Sequence, residues 1–478
     1  MKKIISILAA VVLVLGFAAS AFAIHAEIPA ETQAVVATGT TQITLGGELR
    51  TRGWWRKNLS SGMPVDKGSY SWYDQRVRLS VDAKISPNVQ AFIQLETEGS
   101  GFDSTNDKYV WGTSFGNSGF GNAKPKSDPD FLQAWILYTG QGLFGVPAGL
   151  KVGHMPLKLA YGQFFDHTQM GDDAIVFFVD PTKQMHIGLL TIKLAESATP
   201  VGFPPAFVLG TGVTDNTDDL DAYVALMTYK FSDAIKAGIN YTYLNHSDLG
   251  FSQQNLGVHA DGKIGNFGYQ AAVDFQFGKI LNNYADDVDS KSFKGWAASL
   301  KADYNLNPVL LRGSFVYGSG EDEFDPTGDD DDIKEFTPYV GNIQNYAFIY
   351  EYQARTTAFN KSGLNSGVPS NGHAAGVANT MYANLGVDWK ATKDVTLSLD
   401  GYYFWASETG AWEDLTGEDV SSTAGWEIDA KFRYQIAKNL FYQVDAGYFD
   451  SGSFYEDIMG EDDNKGVTVL RHLLQLNF

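Results

Sequence analysis

Val467-Thr-Val-Leu-Arg-His-Leu-Leu-Gln-Leu-Asn-Phe478 is the last stretch of the 478-residue sequence, and its reading decides the fold. Counting back in twos from Phe478 collects Leu476, Leu474, His472 and Leu470; the other face carries Asn477, Gln475, Leu473 and Arg471. Side chains of a strand alternate between its two faces, so this run is a strand with one apolar and one mostly polar side.

The same pattern recurs upstream. From about Gln42 onward, runs of roughly ten residues alternate apolar with polar, as strands of a transmembrane barrel do. Short turns and longer polar loops separate them by turns. Val77, Leu79, Val81, Ala83 and Ile85 alternate with Arg78, Ser80, Asp82 and Lys84; Ser86-Pro-Asn88 turns the chain, and Val89, Ala91, Ile93 and Leu95 alternate with Gln90, Gln94 and Glu96. Trp296 to Tyr304, Asn305-Leu-Asn-Pro308 and Val309 to Tyr317 form a second such unit. Val387 to Tyr403 and Trp426 to Tyr448 contain two more, turning at Ala391–Asp394 and Gln435–Asn439.

A soluble sandwich with one wet face would also alternate. Three features oppose it: long uniform strands, the alternation of short and long connections, and aromatics gathered at the ends of the apolar faces. Trp54-Trp55, Tyr241, Tyr243, Phe275, Phe277, Tyr317, Tyr403 and Trp405 end the upward strands. Tyr229, Tyr304, Trp389, Tyr434 and Phe478 end the downward ones. Amphipathic rings suit the boundary between hydrocarbon and headgroups. The expected fold is therefore all-β, a transmembrane antiparallel barrel over residues 41–478. Seventeen strands are clear, and even numbers are the rule for such barrels. The weaker run Ala174 to Val179, before Asp180-Pro-Thr182, supplies an eighteenth; sixteen is the alternative.

The N-terminal end agrees. Met1-Lys-Lys, an apolar stretch from Ile4 to Ala19, and Ala21-Phe-Ala23 read as a signal peptide over 1–23, cleaved after Ala23 on the Sec pathway. Residues 24–40 are then a short periplasmic segment. Removing 1–23 leaves 33 basic against 56 acidic residues, a net charge of −23, which argues against nucleic acid as partner. There is no Cys and no later run of ~18 apolar residues, so any membrane crossing is made by strands.

An alternating last strand ending on an aromatic residue resembles the terminal strand of bacterial outer-membrane barrels, where that ending, here Phe478, is the signal read by the assembly machinery. Over residues 41–478 the chain resembles a Gram-negative porin, in style the major porins of anaerobic, metal-reducing bacteria. The sharpest local likeness is Leu150-Lys-Val-Gly-His-Met-Pro156, similar to the porin strand before the third external loop, with His154 where that strand usually has arginine. The resemblance implies that Leu157 to Asp173 folds into the lumen, bringing Asp166, Asp172 and Asp173. It implies a facing basic wall, and the inward register puts Arg50, Arg52, Arg76 and Arg78 there; barrel closure adds Arg471, with Lys431 and Arg433 two strands on. Cations facing loop acids would set up a transverse field that sorts solutes by charge and dipole. Equally, these cations could pair with Glu48, Asp82, Glu427 and Asp429 in a wet lumen.

The longest loop, about 319–376, opens on Glu321-Asp-Glu-Phe-Asp-Pro-Thr-Gly-Asp-Asp-Asp-Asp332. Its expected state is a solvated, mobile loop. Asp329, Asp330, Asp331 and Asp332, and Glu461-Asp-Asp463, are weak candidates for divalent cations, lacking EF-hand spacing. No cofactor and no catalysis are expected. Asp166-His167 is mere adjacency, and Ser370-Asn-Gly-His373 has no assignable partner. Expected partners are outer-membrane lipid and lipopolysaccharide, the barrel-assembly machinery, small hydrophilic solutes or ions and, from the resemblance, further copies in a homotrimer. The leading function is passive diffusion through a water-filled pore in the Gram-negative outer membrane. The alternative is a substrate-specific channel or partner-binding barrel. Only about seventeen residues lie between the signal and the first strand, too few for a plug domain. Inward Phe92, Trp135, Tyr402 and Phe404 do not align into one aromatic track.

Overall fold

The computed structural model describes residues 34–38, 41–60, 63–97, 109–111, 129–195, 219–246, 251–282, 289–324, 332–340, 346–351, 376–459 and 465–478. The proposed signal peptide, Asp329 to Asp331, Ser370 to His373 and Glu461 to Asp463 lie outside these residues.

Eighteen long strands form the wall. They are β1 (Thr41–Ser60), β2 (Met63–Ser86), β3 (Val89–Glu96), β4 (Asp130–Gln141), β5 (Pro147–Met155) and β6 (Asp172–Thr182). Next come β7 (Met185–Ala195), β8 (Leu220–Lys230), β9 (Lys236–His246), β10 (Phe251–Ile264), β11 (Phe267–Asn282) and β12 (Trp296–Asn305). The last six are β13 (Val309–Gly318), β14 (Thr380–Lys390), β15 (Val395–Ala406), β16 (Thr423–Ala437), β17 (Leu440–Ser451) and β18 (Val467–Asn477). Each pairs antiparallel with its sequence neighbour, and β18 pairs with β1 to close the barrel. The weak run before Asp180 is a full strand, β6, hydrogen-bonded to β5 and β7. Eighteen is the number.

Closure leaves no edge strand, and in lipid that matters because every backbone polar group must find its partner inside the protein. The outward residues are the apolar ones. Leu79, Ile136, Leu300, Phe315 and Leu385 are all more than half exposed, which makes sense only if hydrocarbon covers them. Tyr304, Trp389 and Tyr434 are exposed at the short-turn end, and Phe275, Trp296 and Tyr403 toward the long-loop end, as two aromatic belts require. Trp54 is a correction. Strict alternation sends Trp55 outward and Trp54 inward beside Arg52, and Trp54 is buried in the lumen.

The first hairpin is longer than its sequence pattern suggested, 20 and 24 residues rather than about a dozen. Ala34–Thr38 also pairs antiparallel with the start of β1. A buried apolar core fills the long-loop end of the barrel interior. It joins Phe164 and Phe165 of the third loop, Phe348 to Tyr350 of the longest loop, and wall residues Tyr382, Phe404 and Phe449. Two short helices, α1 (Gly410–Thr416) and α2 (Ser453–Met459), cap it, meeting through an edge-on contact of Trp412 and Phe454.

Candidate pore constriction

Arg50, Arg52, Arg76, Arg78, Lys431, Arg433 and Arg471 all sit at inward positions of β1, β2, β16 and β18. The wall is one sector, as the alternation and closure demanded. It is not a row of bare cations. Arg52 Nε bonds Asp74 Oδ1 at 2.6 Å, Arg76 bonds Glu48 at 2.6 Å, Arg471 bonds Asp445 at 2.8 Å, and Arg78 pairs with Glu96. Most of these are direct cross-strand partners: Arg52 faces Asp74, Arg78 faces Glu96 and Arg471 faces Asp445. Of the acids named from sequence, Glu48 pairs as expected, whereas Asp82 accepts from Gln90 and Glu427 and Asp429 serve the longest loop. Asp74, Glu96 and Asp445 were missed, although opposition across the hairpins marks them.

Aromatic rings interleave with this charge. Tyr70, Trp72, Trp54 and Phe348 stack in series at 5.4, 5.5 and 6.3 Å, within 15° of parallel. Arg56 lies over both Trp54 and Trp72, and Arg471 over both Trp54 and Phe348. The indole of Trp54 donates to Asp74 Oδ2 at 2.9 Å. A planar guanidinium over a ring gains cation–π attraction while keeping its carboxylate, so the wall is held stiffly.

The third loop runs inside the barrel from β5 to β6. It reaches β10 and β11, where Tyr161 Oη donates to Asp261 at 2.8 Å and Gln163 Nε2 to Asp274 at 2.8 Å. In an eighteen-membered ring β10 stands opposite β1, so the loop crosses to the wall facing the arginines. Burial and Asp261 together push the Tyr161 phenol well above its ordinary value. The three acids expected here stand differently. Asp166 is fully buried and paired with Lys158 at 2.7 Å. Asp172 and Asp173 begin β6 rather than ending the loop, and bond His167 at 2.8 Å and His154 at 3.0 Å. The structure therefore does not bring them to face the arginine wall as bare charges. His154 also bonds the Met170 carbonyl at 2.9 Å, bracing the loop's end.

The longest loop is the main surprise. Apart from Asp322 and Glu323, which are exposed, its described parts are not a solvated excursion but are largely packed into the barrel: Glu321, Glu335, Phe336, Ile349, Tyr350 and Glu351 are all 1% exposed or less. One arm, Tyr339–Val340, pairs in parallel with Phe165–Asp166 of the third loop, and Thr337 is gripped by Gln276 and Gln253 of the wall. The other arm turns its backbone amides on β16, in the sector of the basic wall. Ile349 N and Tyr350 N donate to the two oxygens of Glu427 at 2.7 and 2.8 Å, and Phe348 N donates to Asp429 at 3.1 Å. Buried amides need acceptors, and the two wall carboxylates provide them. Asp332, a weak metal candidate, pairs with Lys294 across an exposed contact. Among the described residues no group of His, Asp or Glu is arranged to hold a metal.

The inward aromatics also resolve. Tyr402 and Phe404 lie beneath the longest loop and stack on each other; Phe404 also stacks on Tyr350, and Tyr402 Oη donates to the Tyr346 carbonyl, so they are core. Phe92 stacks on Trp135 at 5.3 Å, with Lys151 Nζ 4.0 Å from the Trp135 ring centre. Neither pair extends the Tyr70–Phe348 row.

A closed eighteen-stranded antiparallel barrel with loops turned into its lumen has clear counterparts among solved structures. The BenF-like porin of Pseudomonas fluorescens Pf-5 is 10% identical with a TM-score of 0.52, covering 91% of this chain and 98% of that one. This is the porin fold. OpdL of Pseudomonas aeruginosa is similar at 12% identity and TM-score 0.52, over 91% and 98% of the two chains. OccAB1 of Acinetobacter baumannii is similar at 12% and 0.50, over 91% and 96%. No protein-family model matches the sequence, and no curated protein matches it. Identities this low establish shared architecture, and the lining of the porin barrel has to be read from its own side chains.

Proposed function

We propose that the chain is an outer-membrane porin, a water-filled pore for passive diffusion of small hydrophilic solutes and ions, and not an enzyme. The observation that carries this reading is the inversion of polarity across the wall: Leu300, Phe315 and Leu385 stand exposed outside while paired charges line the inside. An interior of eighteen strands is too wide for side chains alone to fill, so it holds water. Export by the N-terminal signal, recognition of Phe478 by the assembly machinery, contact with lipopolysaccharide and a homotrimeric state belong to the same proposal. Arg50, Arg52, Arg76, Arg78, Lys431, Arg433 and Arg471 form its basic side. The counter-charge comes from Asp261 of the opposite wall, with Asp166, Asp172 and Asp173 holding the third loop in shape.

A substrate-specific channel is the second reading, and one observation favours it. The row Tyr70–Trp72–Trp54–Phe348, flanked by Arg56 and Arg471, offers planar faces beside fixed charge. Purified protein in planar bilayers separates the two. Diffusion predicts ohmic single-channel currents that no solute blocks saturably; saturable block by one solute class would favour the second reading.

A further inference from the structure

The wall under the third loop carries buried polar side chains that the constriction does not use. Register places Asn240, Gly257 and Asp274 in one rank across β9, β10 and β11, and Thr242, Asn255 and Gln276 in the next, all facing the lumen. Asn240 is 2% exposed, Thr242 and Asn255 are 0% exposed and Asp274 is 4% exposed. Asn255 Nδ2 donates to Asp274 Oδ1 at 2.8 Å, and Gln163 Nε2, from the loop above, donates to Oδ2 at 2.8 Å. Both amides thus commit their nitrogens to the carboxylate, which fixes which end of each is oxygen. Asn255 Oδ1, Gln163 Oε1, Asn240 Oδ1 and Thr242 Oγ1 are all buried and have no hydrogen-bond partner. Gly257 leaves the middle open: its missing Cβ would lie 2.6 Å from Asp274 Oδ1 and 2.7 Å from both Nδ2 and Oδ1 of Asn240.

Among the described residues no basic group pairs with Asp274. His259 and Lys301 of the adjoining strands register with Ala272 and Gln270, two and four residues along β11. A buried carboxylate without a compensating charge is heavily penalised. A water molecule brings two hydrogens to four waiting oxygens and leaves the charge in place. A cation satisfies both needs. Hard cations take oxygen ligands, and one carboxylate among neutral amide and hydroxyl oxygens balances a single positive charge.

We propose that Asp274, Asn255, Asn240, Thr242 and Gln163 bind one dehydrated alkali cation, sodium by choice, which pins the third loop to the wall opposite the arginines. The cation is part of the loop's foundation, not of the permeation path, so the site stands whichever solute the pore takes.

The test compares full-length protein refolded in detergent in sodium chloride with the same protein in N-methyl-D-glucamine chloride at equal ionic strength. Screening is then constant, and only the ion able to shed its water differs. The expected result is an unfolding midpoint roughly 2–4 °C higher in sodium, a gap that disappears in Asp274→Asn and shrinks in Thr242→Val. Thallium(I)-soaked crystals should show an anomalous peak against Asp274. Equal wild-type midpoints in the two salts, or a thallium peak only elsewhere, would overturn the site in favour of a protonated carboxyl over water. Should Asp274→Asn not refold, Thr242→Val decides alone: a gap as large as the wild type's removes the proposal.

Discussion

Gly47 and Phe478 exchange backbone hydrogen bonds across the seam where the barrel closes, Gly47 N donating to the Phe478 carbonyl at 2.7 Å and Phe478 N to the Gly47 carbonyl at 3.0 Å. The Phe478 ring folds over the glycine on the lipid-facing side. A Cβ on Gly47 would stand 2.5 Å from the ring and 2.6 Å from the Arg78 carbonyl oxygen. The ring can swing aside, but the neighbouring strand's backbone cannot. Gly47→Val should therefore cost about 1–3 kcal/mol, the usual size of overpacking. The cost should persist in the Phe478→Ala background. Urea unfolding in lipid vesicles measures both, and full rescue by the alanine would show that the ring alone is the obstacle.

Arg52 and Asp74 are a buried pair, each side chain under 10% exposed. Arg52→Ala leaves Asp74, among the described residues, with the Trp54 indole as its remaining side-chain donor, and losing one half of a buried pair costs about 3–5 kcal/mol. Removing both partners should cost less than removing Arg52 alone. A double-mutant cycle on unfolding free energies checks the sign of that difference.

Replacing Arg50, Arg76 and Arg78 together by Gln leaves Glu48 and Glu96 without their guanidinium partners in a water-filled lumen. The reversal potential in a salt gradient should move toward cation selectivity, and adding Glu48→Gln and Glu96→Gln should move it back. Unchanged potentials in the triple variant would take this wall out of the selectivity mechanism.

Glu427 receives two amides of the longest loop. Each charge-assisted bond of this kind contributes about 1.5–3 kcal/mol, so Glu427→Ala should free residues 346–351 from the wall. We expect larger and noisier single-channel currents, with the barrel still folded. Wild-type conductance in this variant would mean that the arm does not narrow the pore.

The Tyr161 anchor gives a pH prediction. Its folded value lies above the ordinary phenol value of about 10, so the neutral, donating form is the one the folded state favours. Its contribution is complete below the unfolded value and fades only as pH climbs through the raised folded one. Conductance should stay flat from pH 7 to about 10, while Tyr161→Phe should loosen the third loop at every pH. A wild-type rise in current well below pH 10 would contradict the assignment.

Strand number, register and the identity of the basic sector were legible because a period of two is a local property that each hairpin states for itself. Lys431, Arg433 and Arg471 could be placed beside Arg50 because closure joins the last strand to the first. The loops obeyed no such period. Nothing local in Phe348-Ile-Tyr350 says that its amides will meet Glu427, some eighty residues on. The acids of the third loop misled for a related reason: Asp166 looks like a lumen charge until Lys158 folds back onto it. Adjacent Trp54 and Trp55 read together as a belt, although alternation alone separates them.

Because the third loop is fastened to β10 and β11, and the longest loop to those strands and to β16, by a handful of side chains, the bore and the tube are separate inventions. The tube is specified by hundreds of residues repeating one rule, and the bore by a few side chains such as Gln163, Tyr161, Gln276 and Glu427. Natural variation can therefore resize the sieve one anchor at a time while the pipe around it stays as it is.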